Sequence, residues 1–310
     1  MKSSTIALLA ILGGGIMGGL PPIFTKVLYQ SFEPMSLGFL RFLIASIFML
    51  PIFFLQKNQP SLVKAIKIVG PFTIFSTLNV MLFLIGIKTT TANSGQIIYS
   101  DVPLVTAILS YFLIKERLSR TKKFGIILGF IGIILVIILP IFQKGITTGD
   151  LTGNIIILIA TLAWAMYGIM SKKIIEKGFS LITISTVSFI ISTIVFFIAM
   201  LFTAKKDFIS PVFIGNNLIV LLFFGGVITV GAYVLLQWAI KHTSPTIAQM
   251  NQYVSPLATF TGSAIVLKEK LTAEFVFGAI LVLIGLFIAT SSDKFLKKTT
   301  EEQVVLAGKE

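Results

Sequence analysis

Long apolar stretches alternate with short polar segments along the whole chain. A helix needs about 20 mostly apolar residues to cross roughly 30 Å of hydrocarbon, whereas strands of a membrane barrel would appear as short segments of alternating polarity. The pattern therefore predicts an all-α integral membrane protein with ten transmembrane helices, near residues 5–28, 35–56, 67–87, 92–114, 124–142, 153–172, 180–203, 216–240, 245–267 and 274–291. The polar remainder, 293–310, is predicted to be a solvated cytoplasmic tail.

Composition excludes a soluble fold and several classes of enzyme. Hydrophobic residues make up 55% of the chain and charged residues 12%, about half the charged fraction of a soluble domain. The chain has no cysteine and a single histidine, His242, so disulfides, iron–sulfur clusters and multi-histidine metal centres are excluded. We expect no metal, no cofactor and no enzymatic activity. No Gly-Lys-Ser/Thr triplet for phosphate binding occurs, so any energy source is a gradient or a partner subunit.

The net charge of +13 is a topology signal. Basic residues lie between the apolar runs and form no stripe with interleaved aromatics, which argues against a nucleic-acid partner. With the N-terminus inside, 16 Lys and Arg residues fall on the inner side and 7 on the outer side. Because cytoplasmic loops carry the excess of Lys and Arg, the count predicts a protein of the cytoplasmic membrane with both termini in the cytoplasm.

The chain also contains an internal repeat. Shifted by 153 residues, 87–132 aligns without gaps to 240–285, with 17 of 46 positions identical, among them Gln96 with Gln249 and Pro103 with Pro256. The alignment predicts a first five-helix repeat at 1–147 and a second at 148–292. Because five is odd, the second copy must cross the membrane in the opposite sense, as in many secondary transporters.

These features carry a family resemblance. The chain has ten apolar stretches in two copies of five. Each copy contains a Gln-x6-Pro stretch that leads to Lys-Glu-x-Leu, at 115–118 and again at 268–271. Together these features resemble the drug/metabolite transporter superfamily, in its EamA-type ten-helix branch. The resemblance covers residues 5–292 and implies a transporter. It does not specify the substrate, because that branch includes both exporters and importers of amino acids and other small metabolites.

Polar stripes in the fourth and ninth stretches are the main candidates for a substrate site. Gln96 and Tyr99 lie on one face of an ideal helix in the first repeat, as Gln249, Gln252 and Tyr253 do in the second. A lipid-facing stripe of amides would leave donors and acceptors unpaired. The stripes therefore either pack helices together or line a cavity between the two copies.

Other polar and aromatic residues carry similar alternatives. Asn79, Trp164 and Tyr167 are candidates for substrate contact, with packing between helices as the other interpretation. The first stretch contains Gly13-Gly14-Gly15 and Gly18-Gly19-Leu-Pro21-Pro22, which predicts a kinked helix that neighbours approach closely or that acts as a gating hinge.

Asp101 is the one acid near the middle of an apolar stretch, and Arg41 also lies inside one. Acids within the membrane are costly and usually functional. Asp101 is therefore interpreted either as a proton or cation coupling site or as the partner of Arg41 in a buried ion pair, because the two have similar depths from the outer ends of their stretches.

The sequence as a whole predicts a secondary transporter of a small polar or amphipathic, amino-acid-like metabolite, with export as the direction that the resemblance implies. Metabolite uptake is one alternative, and a lipid-handling or structural membrane subunit is another. The expected partners are a small-molecule substrate and membrane lipid. The oligomeric state stays open and is compatible with a monomer.

Overall fold

The structure, a computed structural model, describes residues 3–57, 59–89, 95, 98–144, 151–203, 209–267 and 273–291. Helices make up all the regular secondary structure of these residues. Six helical segments in the described part are long and apolar enough to cross a bilayer. The predicted all-α membrane fold is confirmed, and a helix lies within each of the ten predicted apolar stretches. The predicted tail at 293–310 is outside the described residues.

The helices follow one another with short connections. Their bounds are α1 Ser3–Gly19, α2 Pro21–Leu28, α3 Pro34–Leu55, α4 Leu62–Gly86, α5 Val102–Ile114, α6 Arg120–Lys144, α7 Leu151–Glu176, α8 Leu181–Thr203, α9 Asn217–Leu222, α10 Val230–His242, α11 Pro245–Ala248, α12 Asn251–Leu267 and α13 Ala273–Ser291. A 3₁₀ turn covers Ser210–Phe213, and a π-helical segment, Phe223–Thr229, joins α9 to α10.

Local chemistry explains several helix boundaries. The first predicted helix is interrupted at Leu20, because Pro21 and Pro22 have no N–H to donate to the carbonyls one turn back. Proline opens α3 at Pro34 and α11 at Pro245, where its missing N–H removes no helical hydrogen bond. The Ser244 hydroxyl caps α11 by accepting from the Ile247 N–H at 3.3 Å.

Three predicted helices are interrupted within their apolar stretches. A turn at 100–101 precedes α5, a turn at 249–250 separates α11 from α12, and the π-helical segment lies between α9 and α10. Around the second turn the Gln252 N–H donates to the Gln249 carbonyl at 3.0 Å, a tighter i+3 bond in place of the α-helical one. The fourth and ninth stretches are therefore not continuous helices.

Helix packing brings the two proposed repeats together. α6 lies along α13, α4 along α7 and α8, and α3 along α8. α1 contacts α12 and α10, and α7 contacts α5 and α4. In the repeat alignment α1 corresponds to α7, α5 to α12 and α4 to α10, so these contacts occur in equivalent pairs. The pairing agrees with the predicted repeats, whose boundaries and inverted sense stay a prediction.

The outer surface of the bundle is apolar. Phe54, Leu55 and Phe202 are each more than half exposed, as expected of side chains that face lipid. Inside, Phe42 packs against Phe196 and Tyr233, with ring centroids 5.7 and 6.3 Å away. The bundle therefore has an apolar exterior around an aromatic core.

The glycines of α1 allow α12 to approach closely. A Cβ atom on Gly15 would lie 2.7 Å from the Asn251 carbonyl oxygen. The Ser255 hydroxyl donates to the Gly15 carbonyl at 3.1 Å, and the Thr259 hydroxyl donates to the Gly19 carbonyl at 2.6 Å. These contacts support the interpretation of this stretch as a small-residue packing surface.

We predict that Gly15→Ala destabilises the protein, because the added methyl group meets the α12 backbone and neither helix can move without losing packing. Overpacking of this kind lowers the free energy of unfolding by about 1–3 kcal/mol. Thermal denaturation of the detergent-purified protein measures it. Gly14→Ala is the matched control, because its Cβ would lie 3.6 Å from the nearest atom, in Leu235. Equal melting temperatures for the two variants would contradict the packing interpretation.

Candidate functional site

A cavity with several polar side chains in its wall lies between the helices of the bundle. Its volume is about 90 Å³, and its wall comes from α1, α2, α3, α4, α7, α10, α12 and the segment before α5. The side chains that make it polar are Arg41, Asn79, Tyr99, Tyr233, Asn251 and Gln252. Trp164 contributes an aromatic face, and Gly14 and Gly18 contribute bare backbone.

Three residues predicted to bind substrate lie in this wall: Asn79, Tyr99 and Trp164. The Asn79 amide donates to the Tyr99 hydroxyl and to the Ala160 carbonyl, both at 2.7 Å. This pair of hydrogen bonds joins α4 to α7 and fixes the phenol of Tyr99 at the cavity. Asn79 therefore combines the two roles that the sequence left open, packing and cavity lining.

Tyr167 lies behind the cavity wall. Its hydroxyl is 3.0 Å from the Ser188 hydroxyl and accepts from the Gln237 amide at 2.8 Å. The Gln237 amide also donates to the Ser171 hydroxyl at 2.9 Å. This buried network connects α7, α8 and α10. The Tyr167 ring packs against the Trp164 ring, with centroids 5.3 Å apart and the ring planes tilted by 30°. Tyr167 therefore supports a cavity residue from behind.

Gln249 and Tyr253, both predicted to bind substrate, do not line the cavity in this conformation. The Gln249 amide donates to the Trp164 carbonyl at 3.2 Å and packs against Gly168. Tyr253 is fully buried against Gly129 of α6. The prediction placed both on one face of an ideal helix, and the turn at 249–250 removes that geometry. Gln96, the remaining predicted residue, lies outside the described residues.

The interruption brings different residues to the cavity. Gln252, a member of the predicted stripe, and its neighbour Asn251 begin α12 and line the cavity. Tyr233 reaches the cavity from α10. Tyr233 contacts Trp164 and Phe189 edge-on, at 5.5 and 5.0 Å between ring centroids. The sequence signal for Asn251 was its polarity within an apolar stretch, whereas nothing in the sequence distinguished Tyr233 from a core aromatic.

The ion pair between Arg41 and Asp101, one of the two interpretations of these residues, is not formed in this conformation. The Arg41 Nε donates to the Thr229 hydroxyl at 2.8 Å, and the guanidinium lies 4.5 Å from the centre of the Phe224 ring. Asp101 instead lies beside Thr161 of α7. Its Oδ1 is buried and has no hydrogen-bond partner among the described residues. Similar depth did not imply contact, because the two side chains point to different parts of the bundle.

An apolar helical bundle around a polar cavity, with interrupted helices at the cavity wall, defines the class as a multi-pass membrane transporter. The chain matches the EamA-like transporter family over residues 5–138 and 151–291. It therefore belongs to the EamA-like transporter family, as the sequence resemblance indicated.

Individual relatives agree with this family. The chain is 28% identical to the uncharacterized transporter YyaM of Bacillus subtilis, over 94% of this chain and 96% of that one. It is 26% identical to a WAT1-related protein of Arabidopsis thaliana, over 80% and 79% of the two chains. A crystal structure with 14% sequence identity has the same fold, with a TM-score of 0.73 over 93% of this chain and 97% of the other.

Because Asp101 and Arg41 are not paired, we predict that Asp101→Asn folds like the parent, within about 1 kcal/mol in the free energy of unfolding. Removing one partner of a buried ion pair would instead cost roughly 3–5 kcal/mol. Thermal denaturation in detergent distinguishes the two values. Strong destabilisation by Asp101→Asn, with recovery in the Asp101→Asn/Arg41→Gln double variant, would show that the two residues are paired after all.

Proposed function

We propose that the chain is a secondary transporter that moves a small polar or amphipathic, amino-acid-like metabolite out across the cytoplasmic membrane by alternating access. The observation that carries this proposal is the polar cavity inside an apolar bundle. Polar side chains in the membrane are expensive, and they persist where they face a substrate pathway. The volume of about 90 Å³ suits a solute of a few heavy atoms in this conformation.

The position of the cavity supports alternating access. Arg41 and Asn79 reach it from the first proposed repeat, and Trp164 and Asn251 reach it from the second. A solute held between two copies can be exposed to either side when one copy rocks against the other. The family matches the chain in two blocks, 5–138 and 151–291, which supports this division. Trp164 also receives the Gln249 hydrogen bond, so movement of α12 would reach the cavity.

We assign the coupling role to Asp101. Its carboxylate lies in an interrupted helix of the bundle, next to Thr161, and one carboxylate oxygen has no partner among the described residues. A carboxylate without a fixed cationic partner can take up and release a proton as its surroundings change. Under this proposal a proton bound at Asp101 drives transport while the metabolite occupies the neighbouring cavity.

Reconstitution tests the function directly. Radiolabelled amino acids, amines and nucleosides are screened for counterflow in proteoliposomes, and we expect at least one to exchange. Gln252→Ala, in the cavity wall, should raise the KM of that solute about fivefold or more, because a lost hydrogen bond to a ligand costs roughly 1 kcal/mol or more. Gln30→Ala, an exposed residue, is the matched control.

Asp101→Asn adds a second arm to this experiment. It should keep counterflow exchange and lose accumulation driven by a proton gradient. Absence of exchange for every solute, with folded protein in the vesicles, would reject the transporter proposal. Gradient-driven accumulation by Asp101→Asn equal to that of the parent would reject only the coupling role.

The topology makes a separate prediction, that both termini are cytoplasmic and that the segments after the fourth and ninth stretches lie on opposite sides. Because the chain has no native cysteine, single cysteines at Ser119 and Thr272 report their side without background. An impermeant maleimide applied to intact cells should label Thr272→Cys and leave Ser119→Cys unlabelled until the membrane is opened. Labelling of both positions from one side would disprove the inverted repeat.

A further inference from the structure

Arg41 is a buried cation in the wall of the cavity without an acidic neighbour there. Its side chain is 6% exposed, and the described residues that line the cavity include no Asp or Glu. Within the described part of the chain its hydrogen bond goes to a neutral hydroxyl, that of Thr229. A buried charge is stable when it is paired or hydrogen-bonded. The cavity therefore holds a positive charge that the described protein does not neutralise.

The protein fixes the orientation of this guanidinium. Thr229 ends the π-helical segment, and its hydroxyl donates to the Phe224 carbonyl at 2.7 Å while it accepts from the Arg41 Nε at 2.8 Å. The guanidinium lies over the Phe224 ring at 4.5 Å and near the Phe42 ring at 5.4 Å. The hydrogen bond to Thr229 occupies Nε and leaves the two Nη groups outside it. They form the end of the fork that binds a carboxylate with two parallel hydrogen bonds.

Three further groups in the same wall lack partners among the described residues, and one of them is the Tyr233 hydroxyl. The Trp164 Nε1–H is a buried donor and the Asn251 Oδ1 a buried acceptor, and neither has a hydrogen-bond partner among the described residues. Trp164 is 8% exposed and Asn251 is 4% exposed. Buried polar atoms are paired in nearly all folded proteins, so an unpaired donor and an unpaired acceptor in one cavity indicate a ligand that satisfies both.

We propose that the cavity binds a small carboxylate-bearing solute. The carboxylate accepts from the Arg41 Nη groups and from the Trp164 indole, and an amino or hydroxyl group of the solute donates to Asn251 Oδ1. The substrate class is therefore small amino acids and hydroxy acids. This inference rests on the proposed transport function, and it adds the charge of the substrate and the residue that recognises it.

The minimal carboxylate tests the role of Arg41 without knowledge of the natural substrate. Acetate and its neutral isostere acetamide are compared as stabilisers of the purified protein against heat, at matched ionic strength, because a bound solute raises the melting temperature. The parent should be stabilised by acetate at lower concentration than by acetamide. In Arg41→Gln the apparent Kd for acetate should rise about tenfold or more, because hydrogen bonds to charged groups are among the strong ones.

Control variants separate this site from a general effect of charge. Arg117→Gln removes an exposed positive charge outside the cavity and should leave the acetate preference unchanged. If Arg41→Gln fails to fold, Arg41→Lys and Trp164→Phe still test the site. Arg41→Lys removes the guanidinium donors and keeps the positive charge, and Trp164→Phe removes the indole N–H and keeps an aromatic ring. Equal stabilisation of the parent by the two solutes, including none by either, would overturn the proposal, as would an unchanged preference in the folded Arg41 and Trp164 variants.

Glycolate tests the second half of the site. It adds one hydroxyl group to acetate, and the parent should bind it more tightly than acetate, whereas Asn251→Ala should bind the two equally. Equal binding of both by the parent would remove Asn251 from the proposal. Counterflow of radiolabelled glycolate and glycine gives an independent readout. Arg41-dependent binding without any counterflow would reject the transport function and keep the anion site. Counterflow of neutral solutes in preference to carboxylates would reject the anion site and keep the transport function.

Discussion

Lipid cannot hydrogen-bond to a polypeptide backbone, and this constraint decides where the helices of this protein are interrupted. The turns at 100–101 and 249–250 and the π-helical segment Phe223–Thr229 are surrounded by protein: Ser100, Gln249 and Phe224 are almost completely buried. Each interruption is followed or preceded within a few residues by a residue of the cavity wall, such as Tyr99 or Asn251. Irregular backbone and polar cavity therefore occur together, because both require the same shelter from lipid.

The sequence predicts the helices well because length and apolarity alone decide them in a membrane. It predicts the interruptions poorly. The turn at 249–250 contains neither glycine nor proline, and its i+3 hydrogen bonds depend on the packing of α11 and α12 against other helices. The π-helical segment depends on contact as well, because a Cβ atom on Gly225 would lie 2.8 Å from the Arg41 carbonyl oxygen. Such contacts between distant segments cannot be read from local composition.

The same reason explains which of the predicted residues line the cavity. Asn79 and Trp164 lie within uninterrupted helices, so polarity or aromatic character inside an apolar stretch was enough to select them. Gln249 was selected by counting 100° per residue through a turn that does not obey that rule. The relation between Arg41 and Asp101 was inferred from depth alone, and depth gives no information about position around the bundle axis. In both cases the structure differs from the prediction in the angular position of a side chain around its helix or around the bundle, and a helix interruption changes that angle.

The glycines of α1 have a consequence for substrate selection. Gly15, Gly18 and Gly19 approach α12, and Gly14 and Gly18 also line the cavity, so one side of the cavity is bare backbone. A methyl group at Gly14 would contact only Leu235 and the Asn251 amide, at 3.6 and 3.7 Å, so it fits at the cavity wall without displacing either residue. Under the transport proposal, position 14 therefore adjusts the space for the solute independently of charge recognition by Arg41. Chains with the same fold could accept larger or smaller metabolites of one chemical class through exchange of a single small residue in α1.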